Sequence, residues 1–86
     1  MNPKAQTIVT AAQLGLNLQS ARKASKLSQA ELASRLGISQ SRMSELEREP
    51  GTISVEQLLA LLSMLGLQLT LQKRTEPPAP RPETDW

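Results

Sequence analysis

Between Leu36 and Glu47 the chain reads LGISQSRMSELE, and its Gln40, Ser41, Arg42 and Ser44 carry side chains suited to hydrogen bonding rather than to a core. An amide donates and accepts, a hydroxyl does either, and a guanidinium donates in a rigid fork; these groups match base edges and phosphate oxygens. Only Met43 and Leu46 are apolar from residue 40 to 47, so the segment reads as a helix held by one thin face and displaying the other. Gln40 can pair bidentately with adenine, a contact worth about 1–3 kcal/mol of discrimination. Arg42 suits guanine or a phosphate, and its residue type does not decide between them. Ser41 and Ser44 suit base edges or phosphates, whereas Ser39 is in the first place a helix cap that can also reach a nucleic acid.

Other chemistry is harder to assemble. The 86 residues include no cysteine and no histidine, which removes a Ser–His pair, a cysteine nucleophile and the usual metal clusters. Gly15, Gly37, Gly51 and Gly66 stand singly, so there is no phosphate-cradling loop. The expectation is no enzyme, no metal and no cofactor. The lack of cysteine favours a cytoplasmic location. The Leu58–Leu71 run, broken by Ser63, Gly66, Gln68 and Thr70, is not a membrane span, and nothing reads as a signal peptide. Net charge is +2, but Lys4, Arg22, Lys23 and Lys26 all precede the first acid, Glu31. That asymmetry points the body at a polyanion, with Arg22, Lys23 and Lys26 as electrostatic contacts to phosphate; alternatively they are a solvated helix end complementing its dipole. Glu45, Glu47 and Glu49 oppose such a partner, and Arg35 and Arg48 are candidates to pair with them. A body without aromatics has nothing on which to stack unpaired bases, which favours duplex DNA over RNA.

The elements that position these residues announce their own starts. Thr10-x-x-Gln13, Ser28-x-x-Glu31 and Ser54-x-x-Gln57 are capping boxes, and Ser39 opens a fourth helix start. Gly37 and Gly66 stand where helices end in a left-handed residue. The reading is four helices near 10–25, 28–36, 39–48 and 54–65. Leu14, Leu18 and Ala21 form an inward stripe on the first; Leu32, Ala33 and Leu36 on the second; Leu58, Leu61, Leu62 and Leu65 on the fourth. Leu59 and Met64 lie off that last stripe, so the fourth helix is either a buried central helix or a subunit contact.

After Gly66 the period changes. LQLTLQK alternates Leu67, Leu69 and Leu71 with Gln68, Thr70 and Gln72, which is strand spacing. A lone strand needs an edge. The expectation is a strand pairing with its own copy across a homodimer, with Leu59, Leu67, Leu69 and Leu71 at the contact; the alternative is an intrachain pair with TIVT at 7–10. The fold class is all-α with four to five helices and this short C-terminal β-strand. The divisions are an N-terminal arm (1–9), a helical domain (10–66), a dimerisation strand (67–74) and a disordered proline-rich tail (75–86).

The second and third helices, joined around Gly37, have helix-turn-helix spacing. LSQAELASRLGISQSRMSELERE resembles the helix-turn-helix of the phage Cro and repressor class, the XRE class, with Gln29, Ala33, Gly37 and Gln40 on its familiar positions. The resemblance implies a lambda-repressor-like fold, Gln40 opening the recognition helix, and Gln29 clamping a phosphate. The tail, TEPPAPRPETDW, holds four prolines and the only aromatic, Trp86. Body, strand and tail together are similar to HipB-type antitoxins. That resemblance implies a homodimer binding inverted-repeat double-stranded DNA as repressor of its own operon, and restraining a HipA-type serine/threonine kinase toxin of a type II toxin–antitoxin system. It further implies a bacterial cytoplasmic protein, nucleoid-associated when bound, with a tail prone to proteolysis; Trp86, a lone terminal indole, is either recognised by another protein or an unimportant end. The alternatives are a stand-alone repressor without a toxin, and a protein-interaction module that keeps the fold without DNA.

Overall fold

The computed structural model describes residues 6–74; the beginning of the N-terminal arm and the 75–86 tail with Trp86 lie outside the described residues. Four helices follow in order: α1 (Ala11–Ala24), α2 (Gln29–Leu36), α3 (Gln40–Arg48) and α4 (Val55–Met64), with a 3-10 turn at Pro50–Thr52 between the last two. Each boundary falls within a residue of the reading above because local chemistry sets it. Thr10, Ser28, Ser39 and Ser54 all occupy extended N-cap positions, and each hydroxyl accepts from the backbone N–H three residues on. At Thr10 and Ser28 the Gln13 and Glu31 side chains reach back to the cap's own N–H, closing the box.

Three helices end in one motif. After α1, α2 and α4 the chain turns through a left-handed residue, and the next N–H returns to the carbonyl five residues back: Leu27 to Arg22, Ile38 to Ala33, Leu67 to Leu62. Gly37 at φ 76° and Gly66 at φ 74° occupy two of these positions, as their residue type anticipates. The third is held by Lys26 at φ 60°, where no glycine marked the stop.

The inward stripes meet in one core of Leu18, Leu32, Ala33, Met43, Leu61, Leu62 and Leu65, with Leu46 buried as well. Small residues permit the closest approaches. Ala33 is 2% exposed within the α2–α3 pair. Gly15 sits where α1 crosses the end of α3: a Cβ there would lie 2.8 Å from the Glu47 carbonyl oxygen and 2.9 Å from Pro50 Cγ. The backbone oxygen cannot move without disturbing the end of α3, so this glycine is required by space rather than by dihedral angle.

Among the described residues there is no strand, so the β element expected at 67–74 is absent from the single chain. The intrachain alternative is absent too, because residues 6–9 run irregularly into the Thr10 cap and offer no ladder. Leu67, Leu69 and Leu71 are instead 44%, 56% and 90% exposed, and Leu59 and Met64 on α4 are also exposed.

Gly15→Ala gains helix propensity yet forces a backbone clash, so thermal melting should show a net loss of about 1–3 kcal/mol. Lys26→Gly relieves a left-handed side-chain-bearing residue and should raise stability by about 1 kcal/mol in the same assay. Folding lowers the proton affinity of Glu31, chiefly because its carboxylate accepts from the Ser28 backbone N–H and next because of the Ser28 hydroxyl. The capping contribution is therefore complete above the ordinary carboxylate pKa and is lost as pH falls through the lowered folded value; Glu31→Gln should flatten that part of the stability–pH curve.

Candidate nucleic-acid interface

The site is built from two helix starts. The Ser39 hydroxyl accepts from the Arg42 backbone N–H at 3.0 Å, fixing the first turn of α3. Met43 and Leu46, 0% and 1% exposed, pin the helix to the core. That leaves Gln40 and Ser41 exposed and Ser44 half-buried on the outer face, opposite Gln29 at the first position of α2. Gln29, Gln40, Ser41 and Ser44 line one shallow concavity of about 450 Å³, together with Arg48. Four of the six residues expected to face a nucleic acid are therefore neighbours. Ser39 spends its hydroxyl on the cap.

Arg42 turns away from that concavity. Its guanidinium donates to Glu45 Oε1 at 2.9 Å and to the Thr52 carbonyl at 3.2 Å, tying α3 to the 3-10 turn. The Glu45 charge is thereby balanced within the helix that carries it.

Arg22 requires a correction. Expected as a surface contact to phosphate, it is 7% exposed and forms a fork with Glu47: Nε to Oε2 at 2.7 Å and Nη2 to Oε1 at 3.2 Å. Its remaining nitrogen, Nη1, donates to the Leu27 carbonyl at 2.9 Å. Glu47 Oε1 also accepts from Gln29 Nε2 at 3.0 Å. The carboxylate thus joins α1, the start of α2 and the end of α3, and Arg22 carries the link on to the α1–α2 turn. Folding sends Arg22 inward because it lies one turn beyond Leu18 on the buried face of α1, four residues on. Lys23 and Lys26 are exposed and keep the basic character expected of this helix end.

The acids of α3 are therefore paired differently from the expectation: Glu45 with Arg42 and Glu47 with Arg22, rather than with Arg35 or Arg48. The pairing explains how an acid-rich helix can present a face without net negative charge. Arg48 was missed as a member of the concavity. Its signal was present in its spacing, four residues after Ser44 and seven after Ser41, which puts all three on one side of a helix.

A helix-turn-helix family matches residues 18–72 of the chain, spanning α2, the glycine turn, α3 and α4. The chain belongs to the XRE-type helix-turn-helix family. It thus carries a helix-turn-helix DNA-binding domain and is a regulator of that type rather than an enzyme. Among solved structures, a HipB–O1–O2 complex is similar at 29% identity and a TM-score of 0.73, over 80% of this chain and 100% of that one. A HipA–HipB–O2–O3 complex is similar at 29% identity and a TM-score of 0.74, over 84% of this chain and 100% of that one. A HipB–O4 20mer complex is similar at 29% identity and a TM-score of 0.73, over 80% and 97%. None of the curated proteins matches the chain. Among the described residues, no helix is long and apolar enough to cross a membrane.

Removing either partner of the Arg22–Glu47 pair leaves a buried charge unmatched. Glu47→Ala should therefore cost about 3–5 kcal/mol in chemical denaturation. Arg22→Ala should cost a comparable amount, so its first effect is on folding rather than on attraction to phosphate.

Proposed function

We propose that this chain is a sequence-specific DNA-binding repressor serving as the antitoxin of a type II toxin–antitoxin operon. The observation that carries the reading is the concavity itself: Gln40, Ser41 and Ser44 on the displayed face of α3, with Gln29 beside them at a helix start. In this reading the amide at the first position of α3 would pair with adenine in the major groove, and the two serines would reach base edges or phosphates. Gln29 would donate to a phosphate with the amide hydrogen that Glu47 does not take, the Glu47 bond orienting the group. Lys23 and Lys26 add attraction without sequence preference.

The partner proteins follow from the neighbours and from the exposed leucines. A second copy would cover Leu59, Leu67, Leu69 and Leu71 and supply the edge that residues 67–74 lack, making a short two-stranded ribbon. Two recognition helices related by that axis suit an inverted repeat with half-site centres about 34 Å apart. The likeness to HipB, including HipB assembled with HipA, supports a HipA-type kinase as the restrained toxin and the bacterial cytoplasm as the location. Trp86 and its tail are proposed as the segment read by a partner or a protease.

Binding to a duplex should fall log-linearly with salt, and Gln40→Ala should erode discrimination between preferred and unrelated sequences by about 5–150-fold, the equivalent of about 1–3 kcal/mol. Undiminished preference in Gln40→Ala would remove the base-reading role. Leu69→Asp should convert a dimer to a monomer in sedimentation equilibrium; a wild-type monomer at micromolar concentration would remove the ribbon.

A further inference from the structure

We infer that Arg48 is a phosphate anchor at the far end of the recognition helix, and that it gives the concavity its only formal charge. The inference rests on the proposed DNA-binding reading and adds a residue to it. Of the five side chains lining the concavity, Gln29, Gln40, Ser41 and Ser44 are neutral, and Arg48 alone is ionic. Among the described residues, the other arginine of α3 is committed to Glu45 and Thr52, and Arg22 is committed to Glu47. No ion pair among the described residues holds Arg48, and it is exposed. Glu49, the remaining acid at this end, does not line the concavity.

Distance decides between a base and a phosphate. Arg48 lies eight residues after Gln40, about 12 Å along the helix. With the first turn of α3 at the base edges, its last residue lies beyond them, where the sugar–phosphate backbone is the nearer partner. The helix dipole acts in the opposite direction and has to be offset. The C-terminus of α3 carries the partial negative charge of its unpaired carbonyls, which repels a phosphate unless a cation offsets it. Arg48, the last residue of the helix, is placed to do so.

The test uses the full chain and two duplexes of equal length: one selected by the wild type from a random pool, and one unrelated. Affinities are measured by fluorescence anisotropy from 50 to 200 mM salt for the wild type, Arg48→Gln and Arg48→Lys. Arg48→Gln should make the log–log salt slope shallower by about 0.9 for each bound protomer, so that its deficit shrinks about 3.5-fold per protomer across that range. The ratio of affinities for the two duplexes should stay unchanged, and Arg48→Lys should restore the wild-type slope. An unaltered melting temperature for Arg48→Gln checks that only the contact has been lost. A wild-type slope in Arg48→Gln would overturn the inference, as would an altered duplex ratio at unchanged slope, which would make Arg48 a base reader. Failure of the wild type to enrich any duplex from the pool would instead bring down the DNA-binding reading, and this inference with it.

Discussion

The Glu47 carboxylate is the point on which the display of α3 depends. It accepts two bonds from Arg22 and one from Gln29, and so links three helices at the edge of a core that is otherwise only leucine, methionine and alanine. Apolar packing is non-directional; Met43 and Leu46 fix that α3 is held, but not the rotation at which it is held. A forked guanidinium–carboxylate pair has a defined geometry and supplies that rotation. Burying it is costly, and the cost is offset here because Arg22 also donates to the Leu27 carbonyl and Glu47 fills its oxygens with three donors.

The same pair resolves a contradiction in charge. Glu45, Glu47 and Glu49 within one short segment argue against approach to a polyanion. Two of those charges are balanced by arginines, Glu47 in a buried pair with Arg22 from α1 and Glu45 at the surface by Arg42 three residues earlier. The face between them is left to amides, hydroxyls and Arg48. A neutral, donor- and acceptor-rich surface with one cation is better suited to discriminate between base edges than a strongly basic one, whose affinity would be spread over all sequences.

Much of this was legible in the sequence, for identifiable reasons. Serine and threonine caps, the glycine stops and the leucine stripes are local or periodic signals, and they located all four helices and the outward placement of Gln40, Ser41 and Ser44. What was not legible is what depends on long-range contact. Arg22 and Glu47 are 25 residues apart, so nothing in the local pattern marked them as partners, and a lysine- and arginine-rich helix end concealed a buried arginine. The left-handed Lys26 and the tight crossing at Gly15 were hidden likewise, the first because the residue type does not announce it and the second because its neighbours, Glu47 and Pro50, are distant in sequence. The alternation at Leu67–Leu71 has strand spacing, but a strand needs a second edge to pair with, and the described residues offer none.

In the proposed function, one face of α3, held out by the buried pair, is the surface that meets a duplex. Titrating isotopically labelled protein with a DNA duplex, and following its NMR spectrum, tests this most directly. The largest shifts should fall at the side-chain amides of Gln29 and Gln40 and the backbone amides of Ser41, Ser44 and Arg48, with the Arg22 guanidinium signal unchanged. Shifts concentrated on α4 and Leu67–Leu71, with Gln29 and Gln40 unmoved, would contradict it.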